Sequence, residues 1–364
     1  MRIKGTALTV TAIGLSVALS GCEIGTKQVS QNGPRGTGMN QVVDKDLIAK
    51  AHFIPPEPYP LGPDVGPRAS VTYPNLQVLG DVSTDEFNRL MLSMNDWVVP
   101  KTGLPESEQG CNYCHNPENM ASDEKYTKVV ARRMVQMTRN INTNWQTHVK
   151  GTGVTCWTCH RGNAVPEYKW SNPVAGAPGI RGNRQGQNEP VVNVGYSSLP
   201  NNIFEPYLAG DKDVRVASTD AYRVTPQGAT ILSAEQTYGL MMRVSTALGV
   251  NCTYCHNAHS FGDWKTSTPQ RAQAWHGIRM ARAINNDYIT PLAASFPANR
   301  LGKAGDPYKV NCMTCHQGVN KPLGGVSMLK DHPSLAGPRR PAAPATPTAA
   351  AAAAPVAAAV AGGQ

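Results

Sequence analysis

The chain has 364 residues, of which 40% are hydrophobic but only 6% aromatic, and it carries a formal net charge of +9. That length accommodates two ordinary domains, while the scarcity of large aromatic side chains leaves room for something other than protein to fill the interior. The positive balance does not point to nucleic acid, because no basic run is interleaved with aromatic residues and no helix-turn-helix or finger spacing occurs.

Arg2 and Lys4 precede an apolar stretch from Ala7 to Leu19. It is too short to span a bilayer comfortably and has the form of a secretory signal peptide, assigned to residues 1–21. It ends in Leu19-Ser20-Gly21-Cys22, which resembles a bacterial lipoprotein box, so Cys22 is the expected lipidated N-terminus and membrane anchor. Residues 22–75, rich in Gly and Pro, read as an extended arm.

A first half is expected over residues 76–170. Ser83-Thr-Asp-Glu86 is a capping-box helix start, and Met91 follows the capping Ser by eight residues. Next comes Cys111-Asn-Tyr-Cys114-His115. A second helix is expected from about Lys125 to Asn144, bearing Met134 and Met137, and His148 follows it ahead of Cys156-Trp-Thr-Cys159-His160. Residues 171–225 read as linker and connecting segment.

The plan then repeats over residues 226–332. Ser233-Ala-Glu-Gln236 is read as a second capping box, Met241 lies eight residues beyond its Ser, and Cys252-Thr-Tyr-Cys255-His256 follows. A helix from about Pro269 to Asp287 leads to Cys312-Met-Thr-Cys315-His316. Residues 333–364 are almost wholly Ala and Pro, a composition that cannot bury a core, and read as a disordered tail.

Cys-x-x-Cys-His is the haem c attachment signature: the two thiols form thioethers with the haem vinyl groups, and the adjacent His ligates iron. Four copies use eight of the nine cysteines, each followed directly by His. Two zinc sites could use the same Cys pairs, but zinc gives no reason for the four histidines. The expectation is therefore four covalently bound haem c groups, in a mainly α fold with much irregular loop, a multihaem c-type cytochrome built from two pseudo-repeated dihaem halves. Haem propionates would offset much of the positive charge.

The repeat also proposes ligands for the opposite face of each iron. Met91 is assigned to the haem of His115 and Met241 to the haem of His256, with Met94 and Met242 read as packing. Aligning Arg139-Asn-Ile-Asn142 with Arg282-Ala-Ile-Asn285 pairs Met137 with Met280 but Met134 with Gly277. Met134, the residue the repeat does not preserve, is the better ligand for the haem of His160. For the haem of His316 the residues alone leave His148, His276 and Met280 open.

Over roughly residues 70–330 the sequence resembles the tetrahaem cytochrome subunit of purple bacterial photosynthetic reaction centres. The resemblance rests on Gln77-Val-Leu-Gly-Asp-Val-Ser83, the run from Cys114 to Ser122, the segment Gly153 to Gly162 around the second motif, and Leu248-Gly-Val-Asn-Cys-Thr-Tyr-Cys-His256. It implies three His–Met haems and one ligated by two histidines, with His148 serving the haem held by Cys312 and Cys315. It implies an electron-transfer subunit rather than an enzyme, lipid-anchored at the periplasmic face of the photosynthetic membrane. Its implied partners are the core subunits L and M, which carry the bacteriochlorophyll special pair that it re-reduces, and a soluble cytochrome c or high-potential iron–sulfur protein as donor. The segment from Val99 to Gln109 is longer than the family pattern, and the Ala/Pro tail lies outside it. The rival classes are a respiratory multihaem carrier and an oxidoreductase with an open haem.

Overall fold

The computed structural model describes residues 25–32, 39–174, 199–214 and 230–338. The expected signal peptide, Cys22, and the tail beyond residue 338 lie outside the described residues, as does most of the 171–225 connection. The described part is mainly helical, with long irregular loops and two small two-stranded antiparallel sheets. Among the described residues no helix is long and apolar enough to cross a membrane.

The N-terminal arm carries more structure than its Gly/Pro content predicts. Strand β1 (Lys27–Asn32) pairs antiparallel with β2 (Met39–Asp44), setting Lys27 opposite Asp44 and Val29 opposite Val42. Asp44 then caps α1 (Lys45–His52), its side chain accepting from the Asp46 amide at 2.9 Å. The turn-forming residues sit between and after these elements rather than inside them.

Helix α2 (Thr84–Val98) starts as its capping sequence predicts, with the Ser83 side chain accepting from the Glu86 amide at 3.3 Å. Helix α3 (Tyr126–Asn144) also matches its expected range, and a single turn, α4 (Gln146–Val149), then presents His148. The second motif is itself a helix, α5 (Cys156–His160). After β3 (Lys169–Trp170) come the short α6 (Glu205–Leu208), α7 (Ile231–Leu248) and α8 (Pro269–Ala283). Strand β4 (Lys309–Val310) pairs with β3 and leads into the fourth motif, α9 (Cys312–His316).

Two helix ends differ from the sequence reading. Thr230 caps α7, accepting from the Ser233 amide at 3.0 Å, so Ser233 lies inside the helix rather than at its start. A second acceptor one turn upstream takes the capping role and adds a turn. Helix α8 stops at Ala283, and the chain continues as a π-helical segment, Ile284–Ile289. Within it the buried Asn285 amide donates to the carbonyls of Leu208 and Val310, at 2.8 and 3.0 Å.

Equivalent contacts recur along the chain. Asn142 clasps Val154 through its side-chain oxygen and nitrogen at 2.8 and 2.9 Å, and Asn285 clasps Val310 in the same way at 2.8 and 3.0 Å. Arg139 Nε donates to the Ser334 carbonyl at 2.7 Å, and Arg282 Nε to the Tyr207 carbonyl at 3.0 Å. Helix α2 packs on α5, α5 on α9, and α9 on α7.

Three apolar clusters support this arrangement. Leu90, Trp97, Trp157 and Leu335 lie in the one beneath α2 and α5. Leu208, Leu240, Val244 and Ile278 form the one beneath α7 and α8. The third joins Ile141, Ile284 and Ile289, with Met134, Met137 and Met280 packed against it. Each fully buried aliphatic side chain of this kind contributes about 1.5–3 kcal/mol.

Candidate haem sites

The four Cys-x-x-Cys-His segments adopt two local conformations. The first and third are short 3₁₀ turns, Gly110–Tyr113 and Cys252–Tyr254. Each is tied to the following helix by a threonine hydroxyl, Thr127 donating to the Tyr113 carbonyl and Thr268 to the Tyr254 carbonyl, both at 2.6 Å. The second and fourth are one-turn helices with reciprocal capping. The Thr155 amide donates to Thr158 Oγ1 at 3.0 Å, and the Asn311 amide to Thr314 Oγ1 at 2.9 Å. After the histidine, Arg161 and Gln317 take the left-handed conformation, both at φ 52°.

All four motif imidazoles point Nδ1 at a backbone carbonyl. His115 meets Met120 O at 3.0 Å and His256 meets Phe261 O at 2.9 Å; His160 meets Asn163 O at 2.8 Å and His316 meets Val319 O at 3.0 Å. A carbonyl can only accept, so Nδ1 carries a proton, and in the neutral ring Nε2 is then the atom with the lone pair, the tautomer an iron ligand requires. His148 shares the pattern, with Nδ1 donating to Gln273 O at 2.9 Å. Burial lowers the pKa of His148, His160 and His256, and brings that of His316 down to about 4, favouring the neutral ring.

The rings of His148 and His316 lie with centroids 6.1 Å apart. Both line a single cavity of about 730 Å³, together with Cys156, Cys159 and His160 of the second motif, Cys312 and Cys315 of the fourth, and Cys114 of the first. Met134, Met137 and Met280 line it as well, as does Met94, whereas Met91 and Met241 do not. These two pack instead against the first and second apolar clusters.

The cavity suits a large apolar group with anionic edges. Its walls are mostly aliphatic, and its charged lining residues are Lys150, Lys169, Arg300, Lys309 and Lys321, with no carboxylate among them. Lys309 pairs with Asp306. Arg300 instead reaches two neutral phenols, Tyr113 at 2.7 Å and Tyr126 at 3.2 Å. Thiols, neutral imidazoles, thioethers and cations around one apolar space fit the attachment, ligation and propionate chemistry of haem c. Burial pushes the thiols of Cys114, Cys255 and Cys312 up to about 11 and that of Cys156 to about 12, outweighing the opposing pull of Thr127 and Lys125 on Cys114 and of Arg271 on Cys255.

Cys159 and Cys315 meet as a disulfide, with their Cα atoms 4.5 Å apart. A sulfur in a disulfide cannot also form a thioether, so the two forms are exclusive at these residues. The pairing shows that the second cysteines of two motifs, far apart in sequence, are immediate neighbours.

Sequence reasoning had no means of finding Gln273, Arg300 or the acceptor carbonyls, because these act through backbone atoms or long-range contacts. Gly277 did leave a signal, as the break in the methionine repeat.

The model of the family described as "Photosynthetic reaction centre cytochrome C subunit" matches residues 23–336. The chain is 47% identical over 341 residues to the photosynthetic reaction center cytochrome c subunit of Rubrivivax gelatinosus, covering 92% of this chain and 90% of that protein. It is 46% identical to the protein of the same name from Thermochromatium tepidum, covering 90% of this chain and 80% of that one. With that of Roseobacter denitrificans it shares 37% identity, covering 92% and 94%.

Proposed function

The chain belongs to the photosynthetic reaction centre cytochrome c subunit family, electron-transfer components of the reaction centre that carry haem c, and from that premise we propose that it conducts electrons through four haems in a row. Membership also associates it with the reaction-centre core and the photosynthetic membrane. When bound, each haem iron supplies one-electron oxidation and reduction. The shared Nδ1-to-carbonyl bond of four motif histidines and His148 is the observation that carries the reading, since it prepares five Nε2 atoms for metal.

In this reading Cys111 and Cys114, Cys156 and Cys159, Cys252 and Cys255, and Cys312 and Cys315 hold the four groups. The axial pairs are Met91 with His115, Met134 with His160, Met241 with His256, and His148 with His316. In the loaded chain Cys159 and Cys315 would each be a thiol added to its own haem vinyl group and would not be joined to one another. The recurring asparagine clasps and motif conformations support two pseudo-repeated dihaem halves, residues 76–170 and 226–332.

The packing sequence α2, α5, α9, α7 supports an order of first, second, fourth and third motif along the row. The third motif also holds the arm: the Met39 amide donates to Thr253 Oγ1 at 3.1 Å, and Asn251 Nδ2 to the Met39 carbonyl at 2.6 Å. With Cys22 lipidated, that tie supports a membrane end at the third motif, on the periplasmic face. A soluble cytochrome c or high-potential iron–sulfur protein then delivers electrons elsewhere on the row, and the special pair held by the core subunits L and M receives them.

Intact mass of the purified subunit, with flash spectroscopy on membranes, tests the reading. Four haem increments and flash-induced haem oxidation are expected. A chain with fewer than four, or haems that stay reduced after a flash, would overturn it.

A further inference from the structure

Helix α8 contains a glycine that its backbone does not require. Gly277 lies in the helical interior and is absent from the residues with positive φ. There, glycine costs roughly 0.5–1 kcal/mol relative to alanine. A helix bears that cost without a conformational reason where another group must approach closely.

The approaching group is one side chain. A Cβ built on Gly277 would meet His148 Cε1 at 2.6 Å, and His148 Nδ1 and Nε2 both at 3.1 Å. Cβ contacts under 3.0 Å essentially do not occur in folded proteins. The three nearest atoms all belong to one imidazole, whose Nδ1 donates to the carbonyl of Gln273, one turn earlier on the same helix.

The matching position of α3 is occupied. Arg139 and Asn142 make the same contacts in the first half as Arg282 and Asn285 in the second. Counting five residues back from each arginine gives Met134 and Gly277. Met134 lines the cavity from α3, and His148, from the other half, takes the space a side chain at 277 would fill on α8.

We propose that Gly277 is the positioning residue that selects histidine over methionine as the ligand paired with His316, and that refilling this position switches the ligand. The proposal rests on the axial pairs given above. It makes the ligand set a consequence of one missing side chain: with a methionine at 277, the helical position that serves the second motif is recreated for the fourth, and His148 is displaced.

Three variants of the full chain in its reaction centre test this, each read by intact mass, ferric low-spin spectrum and resolved redox titration. Gly277→Ala is expected to keep four haems but disturb the spectrum and potential of one. His148→Ala is expected to open one haem to added imidazole. The double variant Gly277→Met with His148→Ala is expected to close it again, with that haem's ferrous-to-ferric ratio raised at least tenfold at fixed potential, about 59 mV on the one-electron scale.

The proposal is overturned if Gly277→Ala leaves all four spectra and potentials unchanged. It is equally overturned if the double variant loses the fourth haem or stays as open as His148→Ala alone. Should His148→Ala itself leave four closed haems at unchanged potentials, the assignment of His148 fails and takes this proposal with it.

Discussion

The amide of Gly162, just beyond the second motif, donates to the carbonyl of Trp97 near the end of α2 at 2.8 Å. Gly318, just beyond the fourth motif, donates in the same way to Ala247 near the end of α7, also at 2.8 Å. Met91 precedes Trp97 by six residues and Met241 precedes Ala247 by six. The two helices are thus in register from their C-terminal ends, although α7 begins a turn earlier. The equivalence of the two methionines therefore stands on the motif contacts rather than on the caps that first indicated it.

Replacing either methionine should accordingly change one haem and spare the rest. Met91→His and Met241→His are each expected to lower a single midpoint potential by on the order of 0.1 V, a fraction of the roughly 0.8 V that axial ligands span. Redox titration with resolved haem bands measures it. Equal shifts at several haems would remove these residues from the ligand set.

Arg300 brings a cation to the cavity, and its side-chain hydrogen bonds among the described residues go to the phenols of Tyr113 and Tyr126. Removing a positive charge favours ferric over ferrous iron. Arg300→Gln should lower one potential, by about tenfold in the redox equilibrium or about 59 mV, and Arg300→Lys should largely preserve it. An unchanged titration in both variants would make Arg300 a tie between segments only.

Gly249 ends α7 at φ +62°, and a Cβ there would meet the Gly318 carbonyl oxygen at 2.0 Å. The three nearest atoms, Gly318 O and C and Val319 N, are all backbone, so nothing can swing aside. Gly249→Ala should destabilise the subunit by about 2 kcal/mol or more, lowering Tm by several degrees in thermal unfolding followed by circular dichroism. An unaltered Tm would show that the α7–α9 junction can open without cost.

The buried His332 lies between Arg89, 3.3 Å from Nδ1, and Glu57, 2.7 Å from Nε2, and Trp97 packs against its ring. Burial, with Arg89 adding to it, brings the His332 pKa down to about 3. The folded chain therefore disfavours a proton that the unfolded chain accepts near pH 6.5, so this contribution to stability is full above that pH and is lost as pH falls toward 3. Burial raises the Glu57 pKa, which acts in the opposite sense at acidic pH, while Asp331 presents its carbonyl to Arg89. Tm should drop between pH 7 and 4, and His332→Gln should flatten part of that slope. Parallel profiles in the two proteins would count against it.

Much of the candidate site was legible because it is local. Cys-x-x-Cys-His needs only five consecutive residues, and the expected range of α3, from about Lys125 to Asn144, agrees with the observed helix. The start of α7 was misread because Thr230 and Ser233 both offer a capping oxygen one turn apart. The hairpin of the arm was hidden by the glycines and prolines around it. What remained invisible is non-local: no spacing rule brings Cys159 to Cys315, and no side-chain pattern reveals that Gln273 offers its carbonyl to His148. Gly277 shows both limits, since its mismatch with Met134 is plain in the sequence while the His148 imidazole that lies against it comes from a distant segment.

With Cys22 lipidated, as proposed above, the hairpin of the arm would set how far the protein can stand from a bilayer. Because β1 folds back on β2, Lys27 lies beside Asp44, and it follows Cys22 by only five positions. Fully stretched, that leash reaches about 17 Å. An acylated Cys22 would moor the subunit closely, and the hairpin, rather than the length of the arm, would then govern how freely it drifts above the lipid surface.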